Sequence, residues 1–441
     1  MLIALLIAVA LPALAAAAPV ESLSLAQALE TARTRNPGLS ALREQARAVE
    51  ARARSARRLN LPRLGVEAQL DATNNAAAAF ASRLNAGEFR AQDFEIRRLN
   101  APEAIGHLGG ALFIEAPIDL AHRIALSADA QTAAGRALGH AVDDTADGLG
   151  LAVFEAYFGQ QLAERAVVAT ERAVAAARSR EAATEARFSE GAALQADVLR
   201  VRARRRERES DLAARRADVS LAAAALASLI GAPPGARFAL VDPLPDKAPS
   251  PADLTEWLRL AQTERPALRA AGESEKAATL GVQIEKRASW PEVAAQARLM
   301  GDRIGSGGST SWIVGAQVRW TAFDASRDKR RAAARAEADA AALSVRATRD
   351  RVNLEVESAW HRLEAARARF DAAAGGAAEG RGALRVVQER RAQGAATLTD
   401  ELETDAAAFA AELEEIQAAR AAVLAEAALR RAAGLALGST K

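Results

Sequence analysis

Leu61-Pro62-Arg63-Leu64-Gly65-Val66-Glu67-Ala68-Gln69-Leu70-Asp71 alternates apolar and polar side chains after its proline, and Trp290-Pro291-Glu292-Val293-Ala294-Ala295-Gln296-Ala297-Arg298-Leu299 does the same. A two-residue period puts Leu64, Val66, Ala68 and Leu70 on one face of a strand and Arg63, Gly65, Glu67, Gln69 and Asp71 on the other. In the second stretch Val293, Ala295, Ala297 and Leu299 stand opposite Glu292, Ala294, Gln296 and Arg298. Leu108, Gly110, Leu112 and Ile114 alternate further on, as do Trp312, Val314, Ala316, Val318 and Trp320. The pattern predicts four strands of about 10 residues, two per half, the length a tilted strand needs to cross a bilayer with lipid on one face and water on the other. The segments between paired strands differ: residues 73–106 are long and polar, residues 301–311 short and rich in Gly and Ser.

The punctuation around these strands is written twice. Asn36-Pro37 precedes Leu61-Pro62 by the same 25 residues that separate Arg265-Pro266 from Trp290-Pro291. Gly191 stands 6 and 40 residues before Asp197 and Gly231, as Gly394 does before Asp400 and Gly434. A unit of roughly 200 residues is too long for a solenoid repeat of about 20–50. The expected organisation is a signal segment at 1–18, a first structural repeat at 19–231, a breaker-rich linker at 232–251 and a second repeat at 252–441. Within each repeat, short helices broken at the first proline precede the strands. Very long helical stretches follow Asp119 and Asp324, to about Glu190 and Gln393, with further helix to about Ile230 and Ala433. Some 65–70 helical residues reach roughly 100 Å.

Composition agrees with long helices rather than a compact core. Half of the 441 residues count as hydrophobic but aromatics are only 4%, and much of the remainder is alanine, which loses no side-chain entropy in a helix. The 58 basic and 56 acidic residues nearly cancel, so no general field draws the chain to nucleic acid. With no cysteine there are no disulfides, thiolate metal sites or lipid-accepting thiols. The four histidines show no ligand spacing, and no nucleotide-binding loop, nucleophile elbow or zinc-hydrolase pattern occurs, so neither enzyme activity, cofactor nor metal is expected. Residues 1–18 form an apolar run ending in small side chains, similar to a secretory signal peptide although without a positive start. Any later membrane insertion must use strands, and four strands leave open edges that lipid does not tolerate, so several protomers must share one barrel.

Leu25-Ala26-Gln27-Ala28-Leu29 before Asn36-Pro37, then Leu61-Pro62, Arg187-Phe188-Ser189-Glu190-Gly191, Asp197-Val198-Leu199 and Leu229-Ile230-Gly231, with their second-half counterparts, resemble the TolC-like outer-membrane efflux channel family. The resemblance implies a mainly α fold with a transmembrane β portion: a long α-hairpin coiled-coil barrel plus four strands per protomer, closed as a 12-strand barrel by a homotrimer in the bacterial outer membrane. It implies partners too, a periplasmic adaptor and an inner-membrane transporter, with a passive efflux or type I secretion duct as the function. By the same resemblance the adaptor-contacting tips are Gly191, Ala192, Gly394 and Ala395, and the periplasmic aperture is lined by Asp400 and Glu403, with Asp197 equivalent in the first repeat. Asp400 and Glu403, three apart, share a helix face, and a threefold axis would gather six carboxylates. The competing reading of those two is a solvated acidic face together with Glu401, Asp405 and Glu412. Alanine follows both tip glycines where the family carries a larger apolar residue, and Arg391 stands where it carries an aromatic. Trp290, Trp312 and Trp320 fall at predicted strand ends, as membrane-interface aromatics do. The arginine-rich run from Arg202 to Arg216, interleaved with Glu207, Glu209 and Asp211, reads as a helix face of mixed sign. The alternative function is a soluble periplasmic coiled-coil scaffold or adaptor, for which no lipid-facing alternation is needed.

Overall fold

The computed structural model describes residues 21–243 and 253–437. The signal segment at 1–18 lies outside the described residues, as do residues 244–251 of the expected linker and residue 252 at the start of the second repeat. A strand the periodicity did not announce, β1 (Glu21–Leu23), comes first, followed by α1 (Leu25–Arg35) and α2 (Pro37–Arg58). Ser24 starts α1 with a capping box, its Oγ accepting from Gln27 N at 3.2 Å while Gln27 Oε1 accepts from Ser24 N at 2.9 Å. Pro37 then breaks the helix and begins the next, as its missing N–H allows.

After β2 (Arg63–Thr73) come α3 (Ala76–Asn85), a 3-10 turn (Ala91–Phe94), α4 (Ile96–Asn100) and β3 (Ile105–Ile118). Two long helices close the repeat, α5 (Arg123–Ser189) and α6 (Gln195–Leu229). Strand β4 (Phe238–Leu240) lies within the expected linker and pairs in parallel with β1, Leu23 opposite Leu240. The second repeat is α7 (Leu254–Glu264), α8 (Pro266–Arg287), β5 (Glu292–Ile304), β6 (Gly307–Arg319), α9 (Arg327–Ala392) and α10 (Leu398–Ala432). Corresponding helices match closely in length: 11 and 11 residues, 22 and 22, 67 and 66, 35 and 35. At the strand-to-helix corners Asp119 accepts from the N–H groups of Arg123, Ile124 and Ala125, and Asp324 accepts from Ser326 N.

Two compact units result, and neither coincides with a sequence half. One combines residues up to Leu42, Val142–Pro266 and the chain from Arg349 onward; the other combines Arg43–Ala141 and Ala267–Thr348. In the first, Leu29, Val153, Tyr157, Leu226 and Ile230 form a buried cluster against β1. Tyr157 ties that cluster together: its oxygen accepts from Val241 N and Asp242 N, and its proton is shared between Leu23 O at 2.9 Å and Asp242 Oδ2 at 2.8 Å. Burial pushes the phenol up to about 12, against the backbone donors that pull it down. The second unit holds one four-stranded antiparallel sheet in the order β2-β3-β5-β6, so the two repeats join through β3 and β5. The turn between β5 and β6 shrinks to residues 305–306, because Gly305 takes a φ of 60° and lets the strands run further than their alternating cores foretold.

Candidate functional site

Register turns the alternation of single strands into two faces of a sheet. Leu64 pairs with Ile114, Ile114 with Ala297, and Ala297 with Val314; Val66, Leu112, Leu299 and Trp312 make the next row. All lie on one side, and they are bare: Val66 is 78% exposed and Leu70 81%. A soluble sheet would cover such a face, so its exposure requires an apolar environment outside the protomer. Gly65, Glu67, Gln69, Phe113, Arg298 and Gln317 line the opposite side. Arg63 pairs there with Glu115 at 3.0 Å and Arg298 with Glu67 at 2.8 Å, and His107 lies between Asp71 at 3.2 Å and Asp302 at 2.8 Å. Phe113 spreads its ring over Gly65, where a side chain would collide with it.

Trp290 and Trp320 flank the paired ends of β5 and β6, Trp320 donating to Ser289 O at 3.1 Å. Trp312 is a correction: it sits inside β6, since Ser309, Thr310 and Ser311 continue the strand that the Gly/Ser-rich sequence read as a gap. It marks the end of the apolar run rather than the end of the strand. Trp312 and Trp320 bracket that run, about 26 Å apart along the strand and about 20 Å across a bilayer at a 40° tilt, near the height of an outer-membrane apolar band.

The helical tips are the same turn made twice. Gly191 and Gly394 both adopt φ 76°, accessible to glycine, and both turns close with paired bonds: Gly191 N to Phe188 O and Ala192 N to Arg187 O, Gly394 N to Arg391 O and Ala395 N to Arg390 O. Gly191, Ala192, Gly394 and Ala395 are exposed. The following helix starts differ. Thr397 caps α10, its Oγ1 accepting from Asp400 N at 3.1 Å. Leu194, at the same position of α6, has no side-chain oxygen to offer and stays 70% exposed.

Asp400 completes the α10 cap, its Oδ2 accepting from Thr397 N at 2.8 Å and Thr397 Oγ1 at 2.7 Å, and these bonds hold its carboxyl below the usual aspartate range. Glu403 is exposed one turn on. Asp197 occupies the matching position of α6 and meets Arg200 at 3.7 Å. The solvated acidic face is corrected in part: Glu401 and Asp405 turn inward. Arg180 of α5 donates to Glu401 at 3.0 Å and Asp405 at 2.6 Å, Arg391 of α9 pairs with Glu401, and Arg208 of α6 stacks 3.8 Å over the ring of Phe409. Burial opposes the Arg180 charge, but the two carboxylates outweigh it and raise its pKa. Four helices meet at this cluster. Its signal in the sequence is the four-residue step from Glu401 to Asp405 to Phe409, a stripe ending in an aromatic. The arginine run, read as a face of mixed sign, pairs with carboxylates of α5, Arg202 with Glu185 at 2.6 Å and Arg216 with Glu171 at 2.9 Å.

Among the described residues no helix is long and apolar enough to cross a membrane, and no cluster of metal-ligating side chains occurs. Residues 257–435 match the family profile described as Outer membrane efflux protein. The solved structures similar to this chain include a membrane protein from Pseudomonas aeruginosa (TM-score 0.78, 20% identity, 93% of each chain covered). VceC, an outer membrane protein of Vibrio cholerae, matches with a TM-score of 0.76 and 17% identity over 93% of this chain and 96% of that one. The open state of the Neisseria gonorrhoeae MtrE outer membrane channel matches at 0.75 and 19% over 93% and 89%. The fold is TolC-like. The second repeat of this TolC-like chain matches the outer membrane efflux protein profile, and profile and fold together assign the chain to the outer membrane. Of these neighbours, MtrE is described as an outer membrane channel. No curated protein matches the sequence.

Proposed function

We propose that three copies of this chain share one 12-strand barrel and form a passive exit duct, which docks through its helical tips to a periplasmic adaptor and an inner-membrane pump. The observation that carries the reading is the sheet: four strands with one apolar exposed face, one polar face and two unpaired edges, β2 and β6. Because the strands alternate in direction, β6 of one copy meets β2 of the next antiparallel, and any number of copies closes with the even strand count of outer-membrane barrels. The TolC-like fold supports three. On the periplasmic side Gly191-Ala192 and Gly394-Ala395 leave room for a partner helix to approach. Asp400 and Glu403, exposed on one face of α10, supply the carboxylates of a cation-attracting aperture, with Asp197 behind them in α6.

Planar-bilayer conductance tests both parts. Wild type is expected to give a cation-selective pore, and Asp400→Asn with Glu403→Gln to weaken that selectivity and divalent-cation block while the assembly stays intact. Unchanged selectivity returns the two carboxylates to capping and solvation alone. Release of the protein by osmotic shock, with no outer-membrane fraction, sinks the duct.

A further inference from the structure

Comparison of the two repeats isolates one segment the sheet does not need. The β5–β6 hairpin turns in residues 305–306, whereas the β2–β3 connection runs through residues 74–104 and folds them. Long connections with internal structure carry function more often than architecture. In this one Ala79 and Ala86 are buried, and half-buried Phe89 packs edge-on against Phe80 at 4.6 Å and against exposed Phe94 at 5.0 Å. Its buried carboxylate, Asp93, accepts from Arg83 at 2.9 Å and from Arg90 N at 2.8 Å. The connection also has a fixed seat. Ser309 Oγ donates to Asn85 O, and Glu88 fills the space left by the missing side chain of Gly307. The register of β6 is unbroken from Gly307 to Arg319, so Gly307 and Ser309 share the face of Gln317 and Arg319. The connection therefore rests on the polar wall, at the end of the sheet opposite the corners that lead into α5 and α9.

Within it is a cavity of about 450 Å³ lined by Phe80, Phe89 and Leu99 on one hand and Arg83, Arg97 and Arg98 on the other. Arg83 is committed to Asp93. Arg98 has only a loose contact with Glu95 at 3.7 Å, and Arg97 makes no ion pair among the described residues. Exposed Glu103 also lines the space, which leaves guanidinium in excess over carboxylate. A guanidinium recognises sulfonate or carboxylate oxygens with paired donors, and phenyl walls take a flat apolar body. The volume falls in the range of small-molecule sites.

We propose that this cavity is a binding site for an organic monoanion with an apolar or aromatic body, held on the water-facing wall at the outer mouth of the barrel. Its placement at a mouth rests on the duct reading; its chemistry does not.

The test is equilibrium binding of naphthalene-2-sulfonate to the purified full-length protein in lipid nanodiscs, beside 2-naphthalenemethanol and inorganic phosphate. Wild type should bind the sulfonate saturably and at least tenfold more tightly than either the neutral analogue or phosphate. Arg97→Gln with Arg98→Gln, both exposed and outside the Asp93 pair, should weaken sulfonate binding at least tenfold. Replacing residues 74–104 with a two-residue Gly-Ser turn should abolish it while leaving the sheet in place. Equal binding by wild type and the double variant overturns the site, as does absence of saturable binding or equal affinity for the neutral analogue. Osmotic-shock fractionation separates the two ideas: a protein held in the outer membrane but without sulfonate binding defeats this site alone, and a shock-released protein that binds sulfonate defeats only the duct.

Discussion

Tyr157 is the chain's one tyrosine, and it closes the knot between β1, β4 and α5. Deprotonation would place a phenolate beside the Asp242 carboxylate in a buried site. Since the folded pKa is raised, the contribution to stability is complete below the unfolded value near 10 and is lost as pH climbs through about 12. A phenolate absorbance titration of the folded protein should therefore show a single midpoint near 12, and a midpoint near 10 would refute the buried knot. The Arg180–Glu401–Asp405 cluster carries the opposite kind of lesson. Its charges are paired and shielded from water, so removing one partner leaves a buried charge uncompensated, at a cost of about 3–5 kcal/mol. Asp400 and Glu403 are exposed, so changing either leaves no buried charge behind, and Asp400 is tied only to the α10 cap.

Helices α6 and α10 are matched in length and tip geometry but start differently, with Leu194 in one and Thr397 in the other. An uncapped helix start is weaker by roughly 1 kcal/mol. Leu194→Thr is accordingly expected to raise unfolding stability by about 0.5–2 kcal/mol, with Thr397→Leu lowering it by a similar amount; denaturant unfolding of the two variants checks both signs. If Leu194→Thr instead destabilises, the exposed leucine packs against something that the single protomer does not contain. At the other end of each repeat Gly231 and Gly434 press against the backbone of Arg35 and of Glu264–Arg265, closer than a side chain allows. These contacts tie each repeat's last helix to its first.

Closure of the sheet is decided by the whole molecule. Strands β2 and β6, of 11 and 13 residues, have one partner each within the protomer, and an open edge in hydrocarbon leaves N–H and C=O groups without partners at several kcal/mol apiece. The chain has no cysteine, so introduced pairs report cleanly. Gln69→Cys on β2, combined with single cysteines stepped along β6 such as Gln317→Cys, should give intermolecular disulfides at one register, ending in a covalent ladder of three chains and no more. Disulfides at every register would mean unspecific collision rather than a shared barrel, and a ladder ending at two chains would replace the trimer with an 8-strand closure.

Periodicity and punctuation were enough to write down the four strands, the long helices and the glycine turns that join those helices, because each depends on local spacing. A two-residue alternation after Pro62 and Pro291 has one strand reading, and a glycine needing φ 76° is visible wherever a long helical pattern stops. Three features depended on chain segments far apart in sequence. Strands β1 and β4, three residues each, are too short to show a period and exist because they pair across more than 200 residues. Trp312 moved from a strand end to a strand interior because β5 supplied partners for the Gly/Ser stretch before it. Glu401 and Asp405 are indistinguishable from Asp400 and Glu403 in composition, and only the arrival of Arg180 and Arg391 from other helices turns one pair inward and leaves the other facing water. Local spacing determines which elements form; which side of an element is buried depends on the partner it meets, and that is a property of the tertiary structure.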